Sequence, residues 1–350
     1  MTTRDQDWQF CTDSLVEVSR SFSIPIRMLP EALEHAVTMC YLLCRIADTI
    51  EDHDGLAPAV RERLYSEFLD CVEHDGPADR FAASWMAEVG DEGAEHRLCV
   101  QLPTVVRFQR TLKPAVQDIL RQWVPELTRG MSLYTRRRRD SRGLVCTMHL
   151  RDMERYCYFV AGVVAHMLTD FFLESLPNID EARALEMKRY SESFGLGLQF
   201  VNILKDITDD LERGWCYIPR DVLAERGLHP RDLVHPENFS IAHDALGPVF
   251  ERAFVHLEDG LRYTMTIPAE HREVRLFCML PLWMAIRTLV HARYNDDQFI
   301  AGRAVKISRE EVARITAVIE ARCQDDDALR EGYRILTSVL TPATRSAATA

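Results

Sequence analysis

The chain has 350 residues, of which 47% are hydrophobic, and its 15 glycines and 15 prolines are scattered without forming a linker, which predicts one large domain over residues 1–350. Its net charge of −12, from 42 Lys and Arg against 54 Asp and Glu, argues against nucleic acid as the main partner. The ten cysteines lack the paired spacing of a metal site, which predicts free thiols in a reducing cytosol.

Neither end of the chain suggests membrane insertion. The N-terminus, MTTRDQDWQF, has no apolar run typical of a signal peptide, and no stretch reaches the roughly 18 apolar residues that a span requires. We therefore expect a cytoplasmic protein without a transmembrane segment, and leave open a peripheral contact at the inner membrane face. The small polar residues at 341–350 predict a disordered tail, and the oligomeric state is not indicated.

The hydrophobic pattern predicts an all-α fold. Apolar residues recur at three- and four-residue spacing, and alternating β-branched runs are rare. A first helix closes within 13–19, Pro25 and Pro30 interrupt the chain, and a long helix then runs from Glu31 to Asp52. Further helices are predicted at 58–74, 79–89, 94–110, 113–136, 150–175, 180–212, 237–262, 269–297, 308–324 and 326–340.

The long helix carries an acidic stripe near its end. Asp48 and Asp52 are four residues apart and share one helical face, and Arg45 lies one turn upstream. Such carboxylates repel each other by a few tenths of a kcal/mol per pair, so a bound cation is one interpretation and a solvated acidic face is the other. Oxygen ligands of this kind suit Mg²⁺, with Mn²⁺ as a substitute.

A run of basic residues follows the helix predicted at 113–136. Arg136 to Arg139 form the strongest local basic signal in the chain. A solvated loop is the ordinary interpretation, and contact with an anionic lipid surface or a diphosphate is the functional one.

The two helices at 150–175 and 180–212 combine apolar and small residues. In the first, Ala161, Gly162 and Ala165 lie among large side chains, which suits a core helix and leaves a groove for a long apolar ligand. In the second, Gly195 and Gly197 each cost about 1 kcal/mol relative to Ala. Close approach of another backbone or of a ligand is the usual reason to keep them.

The second of these helices ends in another acidic stripe, within QFVNILKDITDD. Asn202, Asp206 and Asp210 are spaced at i, i+4 and i+8 on one face, with Gln199 and Asp209 beside them. Two such stripes predict two walls of one cavity, each holding Mg²⁺ against a diphosphate. The segment 211–228 that follows is predicted to be a loop with a short helix that covers the mouth of the site.

Taken together, the motifs resemble the squalene and phytoene synthases, which are head-to-head trans-isoprenyl diphosphate synthases. The resemblance covers about residues 14–310 and rests on five stretches in the family's order, namely SRSF, RIADTIED, YCYFVAG, GLGLQFVNILKDITDD and GWCYIP. The stretches LFCMLPLWMAIRTL and YNDDQFIAGRAVKI look most like a bacterial squalene synthase. The resemblance implies a helical bundle of the isoprenoid-synthase type around a central apolar cavity.

The activity that the resemblance implies is that of a farnesyl-diphosphate farnesyltransferase. Two farnesyl diphosphates would condense head to head through presqualene diphosphate, and NADPH would reduce the product to squalene. The implied metal ligands are the acidic and amide side chains of the two stripes, Asp48, Asp52, Asn202, Asp206 and Asp210. Tyr156 resembles the residue that transfers a proton, and Phe277 is an aromatic that could face the allylic cation.

Other residues are assigned to the substrates. Arg45, Lys205 and Arg213 would hydrogen-bond to phosphate oxygens, and Ser19 would donate to the same oxygens. The remaining substrate-binding residues on the polar side are Ser21, Phe22, Gln199 and Asp209. The apolar wall that excludes water is assigned to Val160, Ala161, Val164, Ala165, Gly195 and Leu198.

The cofactor assignment rests on the end of the family-like region. The resemblance implies that Lys306, in the VKI stretch, helps to hold the phosphates of NADPH, with Arg309 and Lys205 as further cations. The family commonly has a basic residue two positions after that lysine, whereas Ser308 stands there in this chain. No GxGxxG motif is present, so a Rossmann-type nicotinamide site is not expected.

Three alternatives remain open from the sequence. A dehydrosqualene, phytoene or presqualene diphosphate synthase would share the fold and use no NADPH. An aromatic prenyltransferase of the same fold would transfer one prenyl group, and the chain length of the substrate is not indicated. A non-catalytic helical scaffold would have no need of two complete acidic stripes.

Overall fold

The computed structural model describes residues 2–19, 22–303 and 305–338. Over these residues the chain is helical, apart from two short strands that form one parallel pair. The predicted all-α class is therefore confirmed. Ser21 and the tail at 341–350 lie outside the described residues.

The chain divides into two compact units. The N-terminal unit combines Met1–Arg137 with Val163–Ile179, and the C-terminal unit combines Arg138–Gly162 with Asp180–Ala350. The N-terminal unit contains nine helices within its described residues: α1 (Thr3–Val18), α2 (Ser23–Arg27), α3 (Glu31–Asp52), α4 (Pro58–His74), α5 (Ala78–Glu88), α6 (Ala94–Val100), α7 (Leu102–Gln109), α8 (Pro114–Thr135) and α10 (Val163–Ser175).

Helix α3 is the central element of the N-terminal unit. Pro30 precedes its first turn, where Glu31 and Glu34 favour the positive end of the helix dipole. Its apolar face includes the fully buried residues Leu42 and Ile46. Helix α3 packs against α8, α4, α10 and α1, so its last turns are held by surrounding helices.

The C-terminal unit contains the remaining helices and both strands. Its described elements are β1 (Val145–Cys146), α9 (Leu150–Cys157), a π-helical turn (Tyr158–Gly162), α11 (Glu181–Lys205), α12 (Ile207–Glu212), β2 (Trp215–Cys216), α13 (Arg220–Ala224), α14 (Phe239–Ala245), α15 (Gly247–Thr266), α16 (Arg272–Ala292), α17 (Arg309–Arg322) and α18 (Asp326–Thr337), with 3₁₀ turns at Pro230–Val234, Pro236–Asn238 and Asp296–Phe299. Val145 pairs with Trp215 and Cys146 with Cys216 in the strand ladder.

Helices α11 and α15 form the closest packed pair in the C-terminal unit. A β-carbon on Gly197 would lie 3.1 Å from backbone atoms of His256 and Leu257, which is tighter than ordinary packing. Gly197 therefore allows the two backbones to approach each other. Helix α16 packs on both partners, and its Phe277 is 5% exposed.

Four predicted helices are interrupted in the structure. The span 94–110 breaks at Gln101, because Pro103 has no N–H for an i−4 bond, and the span 237–262 breaks in the same way before Pro248. The span 150–175 contains the π-helical turn, and the span 180–212 breaks at Asp206, which has φ −110° and ψ 21°.

Two helical stretches are long and apolar enough to cross a membrane, so the expectation that no such stretch exists is wrong by length and composition. They are Leu150–Ser175, which includes the π-helical turn, and Arg272–Ala292. Within their most apolar windows, 56% and 67% of the residues are buried in the protein, as in the core helices of many globular proteins.

Candidate active site

The first acidic motif occupies the last two turns of α3. Arg45 Nη1 lies 3.1 Å from Asp48 Oδ2, so the predicted cation and carboxylate are paired. Asp48 is half-buried and Asp52 is exposed. Burial alone would lower the pKa of the Arg45 guanidinium, but the Asp48 carboxylate and the Tyr41 hydroxyl outweigh burial and raise it. Arg45 therefore stays charged beside the carboxylates.

Tyr41 connects this motif to the SRSF stretch. Its hydroxyl accepts from Arg45 Nη2 at 3.0 Å and donates to the carbonyl of Val18 at 3.3 Å. Ser19 is buried, and its Oγ accepts from the backbone N–H of Phe22 at 3.0 Å. Sequence reasoning missed Tyr41, although its position four residues before Arg45 on the same helical face was a usable signal.

A cavity of about 360 Å³ opens beside the first motif within the N-terminal unit. Asp48 and Asp52, which the sequence analysis assigns to a metal, both line it. Sequence reasoning did not identify Glu95 and His96, which approach from α6. The full lining is Arg45, Asp48, Thr49, Asp52, His53, Asp54, Glu95 and His96.

The second acidic motif straddles the end of α11 in the C-terminal unit. Helix α11 ends at Lys205, and Asp206 is both its C-cap and the residue before α12. The i−4 hydrogen bonds nevertheless continue through the break, from Asp206 N to Asn202 O at 3.0 Å and from Asp210 N to Asp206 O at 2.9 Å. The predicted spacing of Asn202, Asp206 and Asp210 on one side is thus largely retained.

The side chains of the second motif differ in exposure. Asn202 and Asp209 are exposed, Asp206 is half-buried, and Asp210 is 6% exposed. Asn202 Nδ2 donates to Gln199 Oε1 at 3.3 Å, which joins these two predicted residues.

Cations of the chain lie against two of the three carboxylates of this motif. Lys205 pairs with Asp206, and Arg213 Nη2 lies 2.6 Å from Asp210 Oδ1. The basic residues that sequence reasoning assigned to phosphate are therefore beside the residues assigned to metal. A bound diphosphate could accept from the same guanidinium and ammonium groups.

The donor set fits Mg²⁺. Both motifs supply carboxylate or amide oxygens, and over residues 2–19, 22–303 and 305–338 no three His, Cys, Asp or Glu side chains form a site that would enclose a metal on their own. Mg²⁺ usually takes one or two carboxylates, keeps several waters and binds substrate phosphates. Carboxylates that lie beside Arg45 and Arg213 suit that mode of binding.

Tyr156 lies in the last turn of α9 and is buried. Its ring stacks on Tyr217 with centroids 4.2 Å apart, and Tyr217 in turn stacks on Trp215 at 5.6 Å. The predicted covering segment therefore contacts the predicted proton-transfer residue. The chain after strand β1 holds this segment, since Thr147 N donates to Cys216 O and Thr147 Oγ1 donates to Tyr217 O at 2.7 Å.

The residues of the predicted apolar wall fall into both units. Val160 and Ala161 are in the π-helical turn, and Leu198 is half-buried on α11. Of the remaining three, Val164 and Ala165 belong to α10 of the N-terminal unit, and Gly195 is on α11. The π-helical turn was not predicted, because its hydrophobic pattern does not differ from that of an α-helix; such turns are frequent at functional sites.

Gly195 faces protein backbone. A β-carbon at this position would overlap the carbonyl of Ala161, and Gly162 N would also be too close. This contact with the backbone of Ala161 explains why position 195 requires a small residue, as the sequence indicated.

A polar cluster behind α9 was not predicted from the sequence. His256, which is 7% exposed on α15, places Nδ1 3.2 Å from Ser193 Oγ and Nε2 3.7 Å from Glu154 Oε1. Arg252 also donates to Glu154. His256, against the effect of burial and together with Arg252, lowers the pKa of the Glu154 carboxyl. The cluster links α9, two residues before Tyr156, to α11 and α15.

The predicted cofactor residues lie before and at the start of α17. Lys306 and Arg309 are exposed, and Ser308 caps α17 by accepting from Glu311 N at 3.1 Å. Exposed cations of this kind can contact a phosphate, so the residues fit the assigned role. The residue that departs from the family's basic position thus has a local structural function.

The basic run contributes mainly to internal contacts. Arg136 pairs with Glu62, and the Arg137 guanidinium lies 3.9 Å from the centre of the Tyr134 ring. Arg139 Nη1 donates to the carbonyls of Gly143 and Gly214. These contacts favour a structural role for the run.

Comparison with known proteins shows which family the chain is similar to. Residues 15–311 match the family model described as squalene/phytoene synthase. The chain is 27% identical to a squalene synthase of Schizosaccharomyces pombe over 311 residues, covering 89% of this chain. It is 28% identical to a squalene synthase of Rattus norvegicus over 312 residues, again covering 89% of this chain.

The chain spans 64% of the length of the S. pombe protein and 69% of the rat protein. A solved structure of TcSQS in complex with a ligand is 26% identical and superposes with a TM-score of 0.82, covering 97% of this chain and 93% of that one. The predicted resemblance and the isoprenoid-synthase type of fold are confirmed. With a match over most of its length and a shared fold, the chain belongs to the squalene/phytoene synthase family.

Proposed function

We propose that the protein is a squalene synthase that condenses two farnesyl diphosphates. The observation that carries the proposal is the first acidic motif, where Asp48 and Asp52 line one cavity and Arg45 pairs with Asp48 at 3.1 Å. An open pair of carboxylates with a permanent cation beside it suits a magnesium diphosphate. The relatives described as squalene synthases support the choice of reaction.

The residues that would hold Mg²⁺ are Asp48 and Asp52 in one motif and Asn202, Asp206 and Asp210 in the other. When bound, Mg²⁺ supplies charge stabilisation to the diphosphate that leaves the allylic carbon. Arg45, Lys205 and Arg213 would donate charge-assisted hydrogen bonds to the phosphate oxygens. Their present carboxylate partners hold them at the motifs before substrate arrives.

After diphosphate leaves, the allylic cation has to be kept from water. Val160, Leu198 and the buried ring of Phe277 would supply apolar and aromatic surface for this purpose. Attack by the second prenyl chain forms a carbon–carbon bond, and loss of a proton then closes the cyclopropane of presqualene diphosphate. Tyr156 would take part in that proton transfer, with its ring held by the stack on Tyr217.

NADPH is proposed as the hydride donor for the second half of the reaction. Lys306 and Arg309 are exposed cations that would bind its phosphates, and Lys205 is a third candidate.

Product analysis tests the proposal. Purified protein is incubated with Mg²⁺ and farnesyl diphosphate, with and without NADPH, and the lipids are identified by mass spectrometry. We expect squalene with NADPH, and presqualene diphosphate or dehydrosqualene without it. An identical product in both reactions would contradict the squalene assignment and favour a synthase that stops earlier.

The cofactor residues are tested with the same assay. Lys306→Ala should raise the KM for NADPH by roughly tenfold, as expected for the loss of one charge-assisted contact, while presqualene diphosphate still forms at the wild-type rate. Arg322→Ala, at the other end of α17, is the matched control. Equal NADPH dependence in the Lys306 and Arg322 variants would remove Lys306 from the cofactor site.

A further inference from the structure

The carboxyl end of α3 is an unfavourable place for acidic side chains. A helix ends in unsatisfied carbonyls that carry partial negative charge, and cations near them stabilise the helix. Helix α3 instead has Asp48, Glu51 and Asp52 close to its end and no basic residue in its last turn. The position suits cation binding, but the carbonyls of the last turn then require a positively charged partner from outside the helix.

Arg61 is that partner. It lies in the first turns of α4, separated from α3 by the short connection 53–57. Its Nε donates to the carbonyl of Ile50 at 3.2 Å, and its Nη2 donates to the carbonyl of His53 at 2.6 Å. One guanidinium therefore donates to two carbonyls at the end of α3, and the His53 carbonyl also accepts from the backbone N–H of Leu56 at 3.4 Å.

The two carbonyls bracket the backbone that carries Asp52. The Ile50 carbonyl belongs to the peptide between residues 50 and 51, and the His53 carbonyl to the peptide between residues 53 and 54, so Arg61 holds the backbone one peptide away from Asp52 on each side. Asp48 lies one turn earlier on the same helical face. The planar fork of arginine suits this arrangement, because two of its N–H groups point in fixed directions at two acceptors, whereas the ammonium of lysine acts as a single point charge.

We propose that Arg61 is a positioning residue for the first acidic motif, holding the last turn of α3 so that Asp48 and Asp52 present their carboxylates together to a magnesium diphosphate. The proposal rests on the function proposed above. Arg61 does not itself line the cavity that Asp48 and Asp52 share.

A purely electrostatic role makes a different prediction. The complex of Mg²⁺ with pyrophosphate carries a net negative charge, so a positive charge at position 61 would attract it whichever side chain carries that charge. Arg61→Lys keeps the charge and loses the planar fork. Weaker binding by Arg61→Lys therefore indicates positioning, and wild-type binding indicates charge alone.

The experiment measures the binding of Mg²⁺ with inorganic pyrophosphate to the full-length protein by titration calorimetry. We expect Arg61→Met and Arg61→Lys each to weaken binding by roughly three- to tenfold, the range of a lost helix-end interaction. Arg63→Met is the control, because Arg63 is exposed on the same helix and pairs with Glu88. That variant should bind as the wild type does. Wild-type binding by Arg61→Lys, or equal or tighter binding by Arg61→Met, would overturn the proposal.

Turnover provides a second readout. With farnesyl diphosphate, the Arg61 variants should need several-fold more Mg²⁺ for half-maximal rate and recover most of the wild-type rate at saturation, whereas a merely structural role would lower the melting temperature and leave the Mg²⁺ dependence unchanged. If Arg61→Met does not fold, Arg61→Lys alone decides by the same criterion. If the wild type makes no prenyl product, the proposed function is wrong. The pyrophosphate titration still tests the positioning role of Arg61 in that case.

Discussion

The carbonyl oxygen of Ala161 occupies the space that a β-carbon on Gly195 would need. This contact brings α11 against the π-helical turn and places the second acidic helix beside the stretch that contains Tyr156. The atom in conflict belongs to the backbone, which cannot rotate away as a flexible side chain would. A larger residue at position 195 must therefore displace one of these two elements.

Gly195→Ala should destabilise the protein by about 1–3 kcal/mol, the usual cost of overpacking, and reduce turnover by shifting the π-helical turn. Urea unfolding and a steady-state assay would measure both effects. Gly332→Ala on α18 is the matched control, because its β-carbon would meet Trp283 at 3.7 Å, an ordinary contact. That variant should be neutral or slightly more stable, since alanine favours helix. Equal stability of the two variants would show that the Ala161 contact is not tight.

Asp48→Asn and Asp206→Asn should each lower turnover by roughly 10²- to 10³-fold, as for the loss of one group that stabilises developing charge. The shapes of the side chains are preserved, so helicity measured by circular dichroism should not change. Asp118→Asn, which alters an exposed residue on α8, should behave as the wild type. Full activity of either motif variant would contradict the metal assignment and revive the interpretation of a scaffold protein.

Tyr156→Phe removes the hydroxyl and keeps the ring that stacks on Tyr217. We expect a loss of roughly 10²- to 10⁴-fold in the formation of presqualene diphosphate, the usual range for a proton-transfer group, with little change in melting temperature. Tyr190→Phe, on the half-buried side of α11, is the control. A Tyr156→Phe enzyme with a normal rate would assign Tyr156 to packing alone.

Glu154→Gln should change how stability depends on pH. The folded-state pKa of Glu154 is lowered, so its contribution to stability is present above the ordinary carboxyl pKa and is lost as the pH falls through the folded value. The variant should therefore be less stable than the wild type at pH 7, and the two should converge as the pH falls through the lowered folded-state pKa of Glu154. Urea unfolding at several pH values measures the difference. The exposed Glu320→Gln should match the wild type throughout, and a Glu154 difference that persists unchanged in acid would refute the electrostatic explanation.

Sequence patterns predicted the beginnings of those helices that have a proline at or just before the first residue. Helix α4 begins at Pro58 and α3 follows Pro30, because proline suits the beginning of a helix and disfavours helical conformation in the residue before it. The span 94–110 was drawn as one helix although Pro103 was visible within it. Prolines are an imperfect guide, since Pro125 and Pro281 lie inside continuous helices of the structure.

The acidic motifs were predictable because their spacing survives local distortion. At Asp206 the helix breaks, but the i−4 hydrogen bonds on either side keep Asn202 and Asp210 in register. The partners that come from distant sequence were not predictable. Glu95 reaches the first motif from α6, and His256 reaches Glu154 from α15, and neither pairing has a signal in the local pattern.

Both acidic motifs lie at the carboxyl end of a long helix, α3 in one unit and α11 in the other. An engineer who wished to make this protein more heat-resistant would ordinarily add lysine or arginine at such ends and remove aspartate. Here the same changes would remove the carboxylates that we propose to hold Mg²⁺. Stabilising substitutions would have to be placed in exposed turns far from Asp52 and Asp206. A helix end that tolerates no stabilising substitution without loss of activity would thereby be identified as functional.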